Sequence, residues 1–220
     1  MSIRHANLSG ALVLAALLLS GCGGGGASST GAGLTARPAT KAAPSSSSTS
    51  ASAGTGGAGA LSAEVRATAT GDIPDNQQFL TYRDHAAGYQ LVYPEGWTQK
   101  AGARTVTFQD KNNLIRVVVM HGTAPSPASV TAQLAREKAR VPSLAHGSAS
   151  TLSIAGSPVV KISYSTISAP NPVTGKRIRL LVDRYVYARA GKVAVLDLAT
   201  PKGVDNVDAY RRISMSWRWT

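Results

Sequence analysis

Every aromatic side chain in this chain lies between Phe79 and Trp219, twelve of them in all. The 48 residues from 23 to 70 hold none, and 10 Gly, 9 Ser, 13 Ala and 7 Thr fill most of that stretch. Such a composition buries too little apolar surface to offset the entropy of ordering its backbone. Folding is therefore expected in one domain, residues 76–220, behind a tether covering residues 22–75. A domain of that length buries roughly two-thirds of its unfolded surface. As a Gly/Ser-rich coil, the tether has a root-mean-square span of roughly 35–40 Å.

The first 21 residues read as a signal peptide. Arg4 is followed by the apolar run from Ala11 to Leu19 and then by Ser20, Gly21 and Cys22. The run is too short to span a bilayer and has the length of a signal h-region. Small residues before a cysteine resemble the bacterial lipobox. That resemblance implies cleavage between Gly21 and Cys22 after diacylglycerol joins the Cys22 sulfur. Cys22 is the only cysteine in the sequence, so the chain has no internal disulfide to form. The expected location is the extracytoplasmic face of the cell membrane, with the bilayer as a partner through the lipid.

The pattern from residue 88 onward is strands, helix, strands, helix. Gly88 to Tyr93, Arg104 to Asp110 and Leu114 to His121 read as antiparallel strands. Ser126 and Pro127 suit the N-cap and first position of a helix carrying Val130, Leu134 and Val141 on one stripe. Thr151 to Ile154 and Val159 to Ile167 form a hairpin around Ala155-Gly156. Lys176 to Arg189 and Val193 to Thr200 form another, with Gly191-Lys192 as a two-residue turn. A second helix begins near Asp205, with Val207, Tyr210, Ile213 and Trp217 on one broad apolar face. The expected class is α+β: an antiparallel sheet of about seven strands covered by two helices.

The run from Gly88 to Trp97, with Tyr89, Tyr93, Pro94 and Gly96, followed by Val106, Phe108 and Asp110, resembles the start of a PsbP-like domain. Bacterial lipoproteins with this domain share the order lipobox, tether, domain. The resemblance covers residues 79–217 and implies a fold also used by a nuclear-import factor and an extrinsic photosystem subunit. Both are interaction proteins, so it implies a non-catalytic binding or assembly module. A carrier or sensor of a small apolar or anionic ligand, held between sheet and helix, is the alternative.

The residues themselves offer no motif for chemistry. His85, His121 and His146 stand apart with no metal-ligand spacing, and no G-x-S-x-G elbow or phosphate-cradling loop occurs. No catalytic residue, metal site or cofactor is assigned. Tyr93 and Trp97 read as core anchors. Trp217 is expected to close the core and Trp219 to fray.

The formal charge is +12, of which 19 Lys/Arg against 10 Asp/Glu from residue 71 onward contribute +9. No Lys/Arg run exceeds two, which argues against a nucleic-acid surface. An envelope protein or a cell-wall polyanion is compatible with this charge, and an evenly solvated, soluble surface is the alternative. Lys161 to Lys192 contain seven Lys/Arg and one acid, Asp183. Lys176, Arg177 and Arg179 are the anion-facing candidates, and edge-strand protection is the equal alternative. Arg184 interrupts the apolar file Ile178, Leu180, Val182, Val186. With the turn at Gly191-Lys192, Arg184 faces Ala199 and Val186 faces Asp197, which places Asp197 diagonal to Arg184 on one face. An Arg184–Asp197 ion pair is expected, as a cross-strand bridge or as the lining of an anion-binding cleft.

The lipobox is directly testable. Cys22→Ala should abolish incorporation of a labelled fatty acid and leave the precursor uncut. Label persisting in the variant would remove Cys22 as the anchor.

Overall fold

The computed structural model describes residues 71–171 and 173–220. The signal peptide, the Gly21–Cys22 cleavage point, the lipid site and the tether up to residue 70 lie outside the described residues. The elements in order are β1 (Phe79–Asp84), β2 (Tyr89–Pro94), β3 (Thr98–Ala101), β4 (Thr105–Asp110), β5 (Asn113–His121), α1 (Pro127–Arg140), β6 (Ala145–His146), β7 (Ser150–Ile154), β8 (Ser157–Ile167), β9 (Arg179–Arg189), β10 (Lys192–Pro201), α2 (Val207–Ser216) and β11 (Arg218–Trp219). The fold is α+β, as expected. The strands divide between two sheets, however. Eight form one antiparallel sheet in the order β3-β4-β5-β10-β9-β8, with β6 and β7 both paired to β8, and β1-β2-β11 form a second, small sheet.

The central strands explain the layering. β10 and β9 are buried along most of their length on both faces, which demands a cover on each side. On one face Val182, Val186, Val193, Ala199, Ile162 and Tyr164 meet Val130 and Leu134 of α1. On the other, Tyr185, Tyr187, Leu196 and Leu198 meet the small sheet and Tyr210 and Ile213 of α2.

α1 begins as its sequence directs. The Ser126 hydroxyl accepts a hydrogen bond from the Ser129 N–H at 3.2 Å, and Pro127 occupies the first turn. The second helix stops at Ser216, one residue before Trp217. Trp217 then stacks between Tyr89 of β2, at 4.6 Å, and Tyr187 of β9, at 4.7 Å. This sandwich ties the small sheet to the large one. Trp219 does not fray: it pairs with Tyr89 in β11 and packs edge-on against Trp217 at 5.3 Å. Trp97 is buried, and Tyr93 stacks on Phe108 at 4.2 Å, so both act as core anchors. Val207 departs from expectation. It is 68% exposed, because the helix turns its Tyr210–Ile213 side toward the sheet and leaves its first residue at the rim.

The turn joining β9 and β10 also differs. Arg189 pairs with Lys192, so the two turn residues are Ala190 and Gly191. Both have positive φ, 49° and 76°, which is the type I′ pattern favoured by strand twist. A left-handed alanine costs about 1–2 kcal/mol. The register it creates puts Asp197 directly opposite Arg184, and mispairing a buried charge costs more, about 3–5 kcal/mol. Partners move by two residues along β10, so every side chain keeps its face.

Residues 71–74, which the sequence assigns to the tether, belong to the folded unit. Ile73 is buried and its N–H donates to Asn206 Oδ1 at 2.8 Å. The Gly71 carbonyl accepts from the Asn113 and Asn206 side-chain amides, at 2.5 and 3.2 Å. A chain begun at residue 76 loses one buried isoleucine and strands these amides. Relative to a chain begun at Gly71, it should unfold in urea with about 2 kcal/mol less stability and nearly the same slope. Equal midpoints would show that the 71–75 segment adds nothing.

Candidate functional site

Three features bear on function: a buried charged row, an exposed basic loop and an open groove.

The row crosses the α1 face of the large sheet. Asp197 on central β10 lies opposite Arg116 of β5 on one side and Arg184 of β9 on the other. Arg184 Nε donates to Asp197 Oδ1 at 2.7 Å and its Nη2 donates to Oδ2 at 3.2 Å. Arg116 Nη2 donates to the same Oδ2 at 2.8 Å. Arg184 Nη2 also donates to the Tyr164 hydroxyl at 3.3 Å, and its Nη1 lies 3.7 Å from Glu137 Oε1 on α1. Gln133 Nε2 donates to that same Glu137 oxygen at 3.1 Å. Arg184 and Asp197 are 4% and 3% exposed. The expected ion pair therefore exists, though directly opposed rather than diagonal, with Arg116 and Glu137 as members that sequence spacing did not reveal.

Burial alone would raise the Asp197 pKa, but the guanidiniums of Arg184 and Arg116 outweigh it and hold the carboxyl below its ordinary value. Burial disfavours the charged Arg184 as well, and Asp197 more than reverses this. Burial pushes the Tyr164 hydroxyl up, reinforced by Asp197. An ionised, doubly bridged carboxylate out of reach of solvent has no capacity left for proton transfer. The same sheet face is packed by Val130, Leu134, Val182 and Val186. Its chemistry is that of a clamp: it fixes the register of β5, β10 and β9 and ties α1 to them through Glu137.

The basic excess read between Lys161 and Lys192 does not form one surface. Lys161 pairs with Asp183 at 2.7 Å. Arg184 is buried. Arg189 and Lys192, at the far end of β9 and β10, donate to the backbone carbonyls of Trp219 and Ala87, at 3.2 and 2.9 Å. Lys176, Arg177 and Arg179 are all exposed at the opposite end. Arg177 donates to the Ser168 carbonyl at 3.2 Å and Arg179 Nη1 to Ser165 Oγ at 3.3 Å. None of the three forms an ion pair among the described residues.

Beside this loop, β8, β9 and the first residue of α2 enclose a groove of about 450 Å³. Leu181, Leu198, Val207, Ser163 and Ser165 contribute to its lining. Nothing in the hydrophobic periodicity marks it, because it forms where α2 stops short of the sheet's β8–β9 side. Among the described residues no group of three His, Asp or Glu is placed to hold a metal ion. His85 and His121 are exposed, and His146 Nδ1 is 2.7 Å from the Gly147 carbonyl oxygen. No described helix is long and apolar enough to cross a membrane.

No family model matches this sequence, and no curated protein matches it. Solved structures do share its shape. Cyanobacterial PsbP (CyanoP) from Synechocystis sp. PCC 6803 superposes with a TM-score of 0.50 at 15% identity, over 68% of this chain and 98% of that one. The Ran-binding protein Mog1p of Saccharomyces cerevisiae gives 0.42 at 8% identity, over 66% and 96%. LpqN of Mycobacterium tuberculosis, described as involved in cell envelope biogenesis, gives 0.40 at 16% identity, over 66% and 92%. The similarity to CyanoP establishes that the chain has a PsbP-like fold.

The clamp predicts unequal losses. Asp197→Ala strands two guanidiniums, whereas Arg184→Ala leaves Asp197 paired with Arg116. Denaturant unfolding should give about 3–5 kcal/mol for Asp197→Ala and less for Arg184→Ala, with the double variant well below the sum. Because the folded Asp197 pKa is depressed, its contribution is complete above the unfolded value of about 3.9 and is lost as pH falls through the folded value. Asp197→Asn should therefore flatten the acid limb of the stability profile. Additive, small losses would show that the row carries no coupling.

Proposed function

We propose that this protein is an extracytoplasmic, membrane-anchored lipoprotein whose PsbP-like domain is a non-catalytic binding or assembly module. The observation that carries the reading is the set of exposed cations, Lys176, Arg177 and Arg179, gathered beside an open groove and meeting no carboxylate among the described residues. On the α1 face Arg116, Asp197 and Arg184 are paired with one another across three strands. On the groove face Asp183 is paired with Lys161, while Arg179, like Lys176 and Arg177 of the adjoining loop, meets no carboxylate among the described residues. Exposed cations gathered at one end of the sheet raise the local positive potential and attract anionic partners.

The lipobox ending at Cys22 supplies the anchor in this reading, and the tether lets the domain stand clear of the bilayer. Two acyl signals make such an anchor stable. The carrier alternative needs a closed apolar space between sheet and helix. The α1 interface is instead occupied by Val130, Leu134, Ile162, Val182 and Val186, which favours a module that meets its partner at the surface. An envelope protein or a cell-wall polyanion is the partner class that Lys176, Arg177 and Arg179 suit.

The test is retention of the full chain on native envelope fractions, anionic vesicles and isolated cell-wall polyanion. Retention on at least one should be strong at low salt. It should fall as the Debye length shrinks from about 10 Å at 0.1 M to about 3 Å at 1 M. Reversing Lys176, Arg177 and Arg179 to Glu should abolish it without shifting the unfolding midpoint. Retention indifferent to both salt and reversal would overturn the electrostatic part of the reading and leave the loop cations to edge protection.

A further inference from the structure

We propose that the groove between β8, β9 and the start of α2 is the docking site for an extended segment of a protein partner. That segment carries an aliphatic side chain with a carboxylate two residues away. The proposal rests on the assembly-module reading and names the surface and the chemistry it would use.

Three observations converge on this groove. The first is exposed apolar area. Leu181 is 43% and Val207 68% exposed, and both line the groove over buried Leu198. Together they give the groove an apolar centre in which an aliphatic side chain can be buried. The second is the distribution of charge. At one end Asp183 is already satisfied, by Lys161 at 2.7 Å and by the Ser163 hydroxyl at 2.5 Å. At the other end Arg179 shares the face of Leu181, two residues before it on β9. Its guanidinium donates to Ser165 Oγ, in the groove lining, and meets no carboxylate among the described residues. The groove is therefore apolar at its centre, neutral at one end and cationic at the other. An aliphatic group joined to a carboxylate complements that order.

The third is shape, which selects the class of occupant. The groove is open to solvent along one side. Small-molecule sites typically bury about 70–90% of their ligand, and a groove open along one side leaves one face of a small apolar molecule in water. A protein partner brings its own second wall and excludes water around an anchor side chain. A membrane surface needs apolar groups that protrude, whereas Leu181, Leu198 and Val207 line a hollow. Side chains two apart on an extended strand lie about 7 Å apart on one side. A partner strand running along β9 would thus set its carboxylate at Arg179 when its aliphatic residue sits over Leu181 and Val207.

The probe is a displayed library of random peptides, selected on the lipidated full chain in nanodiscs of zwitterionic lipid. Enriched peptides should share Leu, Ile or Val separated by one residue from Asp or Glu. In fluorescence polarisation, Leu181→Asp and Arg179→Glu should each weaken an enriched peptide by about tenfold or more. Both positions are exposed, so unfolding midpoints should stay in place. A peptide with Lys in place of its acid should recover affinity for Arg179→Glu. Lys138→Glu, on the exposed side of α1 across the sheet, should change nothing. Three peptide results would each overturn the proposal: no enrichment, enrichment without an acid, or affinity indifferent to Leu181→Asp. Binding of anionic vesicles abolished by Leu181→Asp would overturn it in favour of a lipid surface. Failure here with salt-sensitive retention intact would remove the groove as the docking site and leave the module reading standing.

Discussion

Asp197 sits on the central strand of the large sheet with a guanidinium on either side. A carboxylate so buried is tolerated only if its attraction to the two arginines exceeds the cost of leaving water. That condition is met in one register, the one in which Arg116, Asp197 and Arg184 fall in a line across β5, β10 and β9. The apolar residues around them would accept several alignments, since Val, Leu and Ala are interchangeable to within a few methylenes. The charged row is not interchangeable. It selects the pairing, and the pairing demands a left-handed Ala190 in the turn. Through Glu137 the same row also draws α1 onto the sheet.

The opposite face is held by aromatic packing. Trp217 lies between Tyr89 and Tyr187, and the Tyr187 hydroxyl donates to the Ser214 carbonyl at 2.8 Å. Offset aromatic contacts of this kind contribute about 0.5–1.5 kcal/mol each beyond their buried area. They place α2 and the small sheet over the β5–β10–β9 part of the face. The β8–β9 side is left with Ser163, Ser165 and Leu181 facing outward, and the groove is what remains uncovered. Structure and proposed recognition thus share a cause: a ten-residue helix and a three-stranded sheet together leave part of an eight-stranded sheet uncovered.

The elements of the domain were legible where local rules dominate. Ser126-Pro127 announces α1, Ala155-Gly156 marks its hairpin, and the alternation at Val106 and Phe108 marks β4. Legibility failed where a residue's role depends on a distant one. Phe79 to Asp84 is a strand because it pairs with β2 along its whole length, although its alternation is too irregular to separate it from a loop by sequence alone. Trp219 is ordered by Tyr89. Gly71 and Ile73 belong to the domain because Asn113 and Asn206 reach back to them. The basic excess read along Lys161–Lys192 dissolved because strands of eleven residues carry sequence neighbours to opposite ends of a sheet.

The sequence by itself determined the class of the molecule: one α+β domain, set by the confinement of aromatics and by the change of period from two to 3.6. It also determined that Arg184 must find an anion, since a lone charge in an apolar file is not tolerated. Only the tertiary structure decided which anion geometry results, and that Arg116 and Glu137 complete it. It also decided that Val207 and Leu181 share a groove beside Arg179. The physical reason is range. Burial preference and turn chemistry act over a few residues and are written locally. Cross-strand register and the edge of a helix's cover arise from contacts between residues distant in sequence, and no short pattern encodes them.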